Sequence, residues 1–293
     1  MKIFDCFQFF DENMMLDLRL NVLNQYVDHF VIVENLYMHN GKKKKQNFDI
    51  KNFNKFKDKI IYILLDELPK DLSKISGVDN HEEHLKILSN AHKIEKKQRN
   101  TIIKGLDSAN DDDLIFFSDV DEIPNLKKFR YRKKITVFEQ KMIYYKFNLV
   151  YPNFIWMGTK ACKMKDFKSA EWLRNIKAKK YPWWRADTFF SEKKYSSIEF
   201  VKDGGWHFTN IKDAKDIDFK MRNFAHHLEY EKSGVDLDKL KNNIENKTVF
   251  YDHLTDKSNL NKHNAKIRLD NLDLNQLPSY INENINLYKK WID

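Results

Sequence analysis

The chain is poor in the residues that punctuate or cross-link a fold: two cysteines, Cys6 and Cys162, five prolines and seven glycines in 293 residues. Two cysteines cannot build a disulfide framework, and no Cys-x-x-Cys pair is present to hold zinc, so the composition reads as that of a reducing compartment. Scarce glycine and proline exclude collagen-like segments and a proline-rich linker. The longest apolar runs, residues 30–33 and 60–65, are strand-sized and far below the ~20 residues of a membrane span. Asp5, Asp11 and Glu12 interrupt the apolar start, which therefore reads as neither a signal peptide nor an anchor. No internal repeat is evident.

Aromatic residues make up 14% and charged residues 32%. The first share is too high for disorder and the second too high for a membrane-embedded chain. The length suits one large α/β domain or two small ones. Lys and Arg number 52 against 43 Asp and Glu, a formal charge of +9. Sixteen of the cations lie between positions 127 and 180, with Glu139, Asp166 and Glu171 as the only acids there. That stretch carries +13 and everything else −4. Nucleic acid, a membrane surface and an anionic substrate are all partners such a charge suits.

Residues 2–10 read as a buried strand, and Leu16, Leu20, Leu23 and Val27 follow at helical spacing. Residues 29–34 (HFVIVE) and 59–65 are strands, so the chain opens strand, helix, strand, strand, as α/β folds with a parallel sheet do. Residues 70–83 read as loop, 84–106 as a helix, and 114–117 (LIFF) as a central buried strand, with Pro124 ending further pairing. Residues 135–165 suggest several strands. Helices are expected over 213–228, 236–243 and 277–292. No linker is visible, which predicts a single domain with a nucleotide-type first half and an elaborated second half.

Asp119 and Asp121 stand two apart at the end of the LIFF strand. In extended backbone they point to one side. Paired carboxylates at the C-terminal edge of a central strand suit a hard cation such as Mg²⁺ or Mn²⁺, with positions left open for substrate oxygens, often those of a diphosphate. The alternative is a solvated acidic turn. A phosphatase of the haloacid dehalogenase type, with Asp119 as nucleophile, is a second reading. Its motif usually lies near the N-terminus and continues differently from Glu122-Ile123-Pro124. A basic nucleic-acid-binding protein is a third, although no recognised motif for it appears.

Several segments together resemble glycosyltransferase family 17, whose best-known members are the β-1,4-mannosyl-glycoprotein 4-β-N-acetylglucosaminyltransferases. They are Asp5-Cys6-Phe7, Leu18-Arg19-Leu20, Val27 through Glu34, His39-Asn40-Gly41-Lys42, Gln98-Arg99-Asn100, Asp112 through Pro124, Gly205-Trp206-His207-Phe208 and Leu277-Pro278-Ser279-Tyr280-Ile281, in family order. The resemblance implies a GT-A-type fold with a Rossmann-like half and a mixed central sheet, a UDP-sugar donor (UDP-GlcNAc), a divalent cation (Mn²⁺ or Mg²⁺) and inversion at the sugar carbon.

On that resemblance Asp119, Asp121 and His207 are the expected metal residues, and Glu34, Arg99 and Asp119 the expected donor-binding ones. Glu122 and Asp203 are the expected catalytic carboxylates, with Glu171, Asp187 and Glu229 also weighed as the base. Each has a plainer reading: His207 packed beside Trp206, Glu34 as a surface acid closing a strand, Arg99 as an exposed helix arginine, the acids solvated. Trp183, Trp184 and Trp206 are candidates to stack on sugar rings, or else core. His226 departs from the family pattern. Without an N-terminal anchor or disulfides the chain reads as a cytoplasmic relative of bacterial or viral type. Its expected acceptor is a glycan, anionic or lipid-linked, with peripheral contact at the inner face of a membrane and no nucleic acid.

Overall fold

The structure is a computed structural model, describing residues 1–225, 227–249, 251–254 and 266–293. Strand β1 (Ile3–Phe9) leads to helix α1 (Asn13–Leu23), then β2 (His29–Asn35) and β3 (Ile60–Leu65). Helix α2 (His81–Thr101) and a short 3-10 turn return the chain to β4 (Leu114–Asp119) and the three-residue β5 (Glu122–Pro124). Two long strands follow, β6 (Ile135–Tyr144) and β7 (Leu149–Lys163), then α3 (Ala170–Asn175), β8 (Ile198–Val201) and β9 (Gly205–Thr209). Helices α4 (Ala214–Asn223), α5 (His227–Lys232), α6 (Leu237–Glu245), α7 (Ser279–Glu283) and α8 (Ile285–Tyr288) complete the described elements used below.

The main sheet runs β3-β2-β1-β4-β7-β6-β9-β5. Its first four strands are parallel, and β7 enters antiparallel to both β4 and β6. The α/β class with a mixed central sheet is therefore as expected. Alternation along β1, β2 and β4 feeds two cores. Phe7, Phe9, Phe30, Ile32, Leu114 and Phe116 pack on the face covered by α1. Phe4, Cys6, Val31, Val33, Ile115 and Phe117 pack on the other, with Ile102 and with Leu173 of α3. Strands buried on both faces read as continuous apolar runs, and these do.

Four local features differ from the expectation. Helix α2 starts at His81 because the Asn80 side chain accepts the Glu83 N–H at 2.8 Å, with Glu82 and Glu83 in the first turn favouring the helix dipole. Pro124 does not end pairing. It sits in β5 opposite Gly205, and β5 is the edge strand, where a missing N–H costs nothing. The expected helix over 213–228 breaks at Phe224, which is extended; the Asn40 amide takes Arg222 O and Asn223 Oδ1 near the end of α4. The closing helix over 277–292 breaks at Asn284 into α7 and α8.

The Gly204-Gly205 pair has a geometric cause. β8 and β9 pair with successive stretches of β6, so the chain must hop between them. A Cβ at Gly204 would lie 2.6 Å from Val201 O, and one at Gly205, whose φ is +130°, 2.2 Å from Ile123 O.

The turn after β4 is fastened from behind by Arg19 of α1, which is fully buried. Its Nε and Nη2 donate to the two oxygens of buried Asp5 at 2.8 and 2.6 Å. Nη2 also reaches Ser118 Oγ (2.7 Å), and Nη1 donates to the carbonyls of Asp119 (3.0 Å), Val120 (3.3 Å) and Glu122 (2.8 Å). Removing one partner of such a pair leaves an uncompensated buried charge, so Arg19→Met is expected to lose about 3–5 kcal/mol of stability. Arg19→Met combined with Asp5→Leu should recover much of it. Urea unfolding of the three proteins checks this, and a single variant as stable as the parent would refute the assignment.

Candidate functional site

The C-terminal ends of β1, β2 and β4 lie at one edge of the parallel half: Gln8 pairs with Asp119 in register, and Phe9 with Glu34. In open α/β sheets ligands bind at this edge. Here the Asp119–Glu122 turn meets the loop into α1 (Asp11, Glu12), the middle of β9 (His207) and α4 (Lys220).

Asp121 is the centre. Its carboxylate is buried, with Oδ1 3.5 Å from His207 Nε2 and Oδ2 3.5 Å from Lys220 Nζ. Burial opposes the charge, but the Lys220 ammonium and the His207 imidazole overcome it and hold this carboxyl well below the usual range. Lys220 also lies 3.3 Å from Glu12 Oε1. Burial works against its charge too, and Glu12 and Asp121 raise its pKa above that of an ordinary lysine. Lys212 pairs with Asp11 alongside. Burial, then the neighbouring charge of Glu12, pushes the Asp11 carboxyl upward.

Asp119 points elsewhere. It accepts from Arg174 Nη2 of α3 at 2.8 Å, while Arg174 Nη1 lies 2.9 and 2.8 Å from the two oxygens of Glu122. Glu122 is fully buried and also accepts the Trp156 indole N–H at 2.6 Å. Its oxygens are committed to holding Arg174, so it is not placed as a base. Lys160 supports the same arginine from below: its Nζ donates to the carbonyls of Arg174 (2.5 Å) and Ile176 (2.6 Å) as α3 ends. Burial, then the charge of Arg174, pulls its pKa down to about 7.

Trp156 starts an aromatic wall. Its ring lies 4.7 Å from the His207 ring. Phe154, Tyr151, Tyr144 and Tyr251 continue the wall around His253, whose Nε2 is 2.5 Å from the Tyr144 hydroxyl. Burial and the charge of His207 pull His253 down to about 4, so it is neutral at physiological pH.

Other expected residues fall into structural roles. Glu34 is fully buried, not a surface acid, and not open to a uridine: it accepts from Asn47 N–H (2.7 Å), Phe48 N–H (3.0 Å), the Tyr62 hydroxyl (2.9 Å) and Lys44. Arg99 bridges Glu95 (2.5 Å) and Glu171 (3.0 Å), tying α2 to α3, which also occupies Glu171. Its Nε and His39 Nδ1 are buried with no hydrogen-bond partner among the described residues, and His39 feels the charges of Glu95, Arg99 and Asp119. Asp203, at φ +48°, is exposed in the turn before β9, paired with Lys141 (3.3 Å) and touching Asn125 beyond the far end of β5. Nothing there brings it to Asp121. Asp187 pairs with Arg185 and Lys194, and Glu229 lies on α5. Trp206 is core, its N–H on Gln276 O (2.7 Å), whereas Trp183 and Trp184 are exposed. His226 lies outside the described residues.

For a divalent cation the donors that come together are Asp121 and His207. Among the described residues no group of three or more His, Cys, Asp or Glu is placed to share an ion, and Asp119 is turned to Arg174. One carboxylate oxygen and one imidazole nitrogen suit Mn²⁺ better than Mg²⁺, which takes oxygen ligands, and two protein donors fit such an ion only where substrate phosphates and water fill its other positions.

A parallel half-sheet with a carboxylate turn at its C-terminal edge is where open α/β folds bind their ligands. The chain belongs to glycosyltransferase family 17, whose sequence model matches residues 1–292. It is thus a glycosyltransferase, and the phosphatase reading gives way. No curated protein matches the chain. Among solved structures, glucosyl-3-phosphoglycerate synthase from Mycobacterium tuberculosis, in complex with Mn²⁺, UDP and phosphoglyceric acid, is similar at 12% identity over 80% of this chain and 79% of that one, with a TM-score of 0.32. Among the described residues no helix is long and apolar enough to cross a membrane.

Lys160 yields a pH test. Unfolded, it keeps its proton up to about pH 10; folded, it gives it up from about 7. Between those values the unfolded chain binds more protons, so this group makes the native state gain stability as pH rises. Lys160→Met is expected to cost about 1–3 kcal/mol through its two stranded carbonyls, and to remove that rise. Thermal melts across about pH 7–9 with the same slope for both proteins would rule this out.

Proposed function

We propose that the chain is an inverting, metal-dependent glycosyltransferase that moves GlcNAc from UDP-GlcNAc to a hydroxyl of an anionic or lipid-linked glycan, within one GT-A-type domain whose donor half is 1–126 and acceptor half 127–293. The observation that carries it is Asp121, buried at the sheet edge with an imidazole on one oxygen and an ammonium beside the other, in a family 17 chain. Asp121 and His207 would hold Mn²⁺ or Mg²⁺, which supplies Lewis-acid neutralisation of a departing diphosphate.

The chain's own cations share that task. Lys220 offers a point charge and Arg174 a planar fork for phosphate oxygens, the latter when Asp119 releases it. Asp119 thus serves the donor by governing Arg174. His39 Nδ1 and Arg99 Nε, buried without a hydrogen-bond partner among the described residues, are suited to the nucleotide, a role the sequence assigns to Glu34 and Arg99. Trp156 and the tyrosine wall offer apolar faces to sugar rings.

In-line transfer needs a proton acceptor opposite UDP. With Glu122 fully buried on Arg174 and Asp203 exposed on Lys141 in the turn before β9, this reading assigns that role to Asp11, which is paired with Lys212 but partly exposed at the same edge and whose carboxyl pKa is raised by burial and the charge of Glu12.

The test is release of UDP from a panel of UDP-sugars. Slow, Mn²⁺-dependent hydrolysis of UDP-GlcNAc is expected, abolished in Asp121→Ala and reduced on the order of 10²–10³-fold in Lys220→Met. If no nucleotide sugar is turned over, or if Asp121→Ala retains full activity, the proposal fails.

A further inference from the structure

Between α3 and β8 the described chain has little regular structure beyond a single turn at Ala186–Thr188. Four large rings there face outward: Trp183 (75% exposed), Trp184 (69%), Phe189 (75%) and Phe190 (91%). Single exposed apolar side chains are ordinary, but four such rings within eight residues form a patch that needs a partner. Trp183 and Trp184 meet edge to face, centroids 6.0 Å apart, and pack on each other instead of on a core.

The base of this segment is fastened. Tyr181 is buried, with Arg185 and Lys194 over its ring at 5.4 and 6.0 Å. Asp187 holds both of those cations at 2.6 Å. The Trp172 indole donates to Glu192 O at 2.8 Å, and Lys177 N–H to Lys193 O at 2.8 Å. The rings therefore stand out from a tied base. Residues 177–194 carry six cations against two acids. Both acids are already paired within the protein, Asp187 as above and Glu192 with Lys168. Lys177, Lys179, Lys180 and Lys193 are exposed in the same segment.

We propose that residues 177–194 dock the protein on an anionic lipid bilayer, the four rings seated at the boundary between headgroups and acyl chains and the lysines on lipid phosphates. Aromatic side chains amid exposed lysines are the chemistry of an interfacial anchor, and each cation near an anionic leaflet adds to the attraction. Charge complementarity favours a bilayer over a second copy of this basic chain. Arg174, which holds Asp119 and Glu122, lies just upstream on α3, so docking brings the donor site to the membrane surface. Only that purpose rests on the transferase reading; the docking stands on the patch itself.

Co-sedimentation with phosphatidylcholine vesicles, with and without phosphatidylglycerol, tests the proposal. The wild-type chain is expected to bind the anionic vesicles, with a blue shift of tryptophan emission and quenching by brominated lipid. Substituting Trp183→Ser, Trp184→Ser, Phe189→Ser and Phe190→Ser together should weaken partitioning at least about tenfold, and Lys179→Glu with Lys180→Glu should weaken it on anionic vesicles. All six side chains are exposed, so folding is spared, and UDP release in solution is read on the same samples. Vesicle binding without turnover would strike the transferase proposal and leave the docking. The docking is overturned by equal binding to neutral and anionic vesicles, by undiminished binding of the ring variant, or by a lipid-free dimer that the ring variant abolishes.

Discussion

One guanidinium holds the site in shape. Arg19 reaches from the first helix through the core side of the sheet, neutralises Asp5 on the first strand and gathers three carbonyls of the Asp119–Glu122 turn. A planar group with five donors can do this where a lysine cannot. Three carbonyls turned inward to one cation fix the turn's path, and its acidic side chains leave it on different sides. Asp121 then faces His207 and Lys220, and Asp119 with Glu122 faces Arg174.

Every buried or half-buried carboxylate of the site has a cation from another element. That follows from the cost of an isolated charge away from water. It also shapes what the site can accept. An anionic ligand does not meet bare carboxylates; it meets ammonium and guanidinium groups whose partners it can replace. Lys220 and Arg174 each serve two carboxylates, so the five acids outnumber the three fixed cations, Lys212, Lys220 and Arg174, and each exchange of partners is local.

Much of the parallel half was legible in the sequence because it depends on local pattern: apolar runs in β1, β2 and β4, the leucine spacing of α1, the glycine pair, the acidic turn after LIFF. The site was legible only in outline. Asp121 and His207 meet, though 86 residues separate them. The roles given to Glu34, Glu122 and Asp203 were not readable, because a carboxylate's function depends on which distant donors reach it, and those donors (Asn47 and Phe48 backbone, Arg174, Lys141) carry no local signature. Lys220 and Arg174 were hidden for the same reason among ordinary helical cations. The basic stretch also divides in three dimensions: Lys160 and Arg174 turn inward, Lys163 and Lys165 pair with Asp112, and Lys134 with Asp166.

The Arg19 contacts to the turn fall on main-chain oxygens and on Ser118, and never on the carboxylates of Asp119 or Asp121. Shape and charge are thereby largely separate: peptide carbonyls set the curve together with Glu122, whose carboxylate accepts the Asp119 N–H at 3.2 Å, and the side chains of Asp119 and Asp121 are mounted on it. A lineage could rewrite those two acids, and with them the donor or the ion, while inheriting the same loop unchanged.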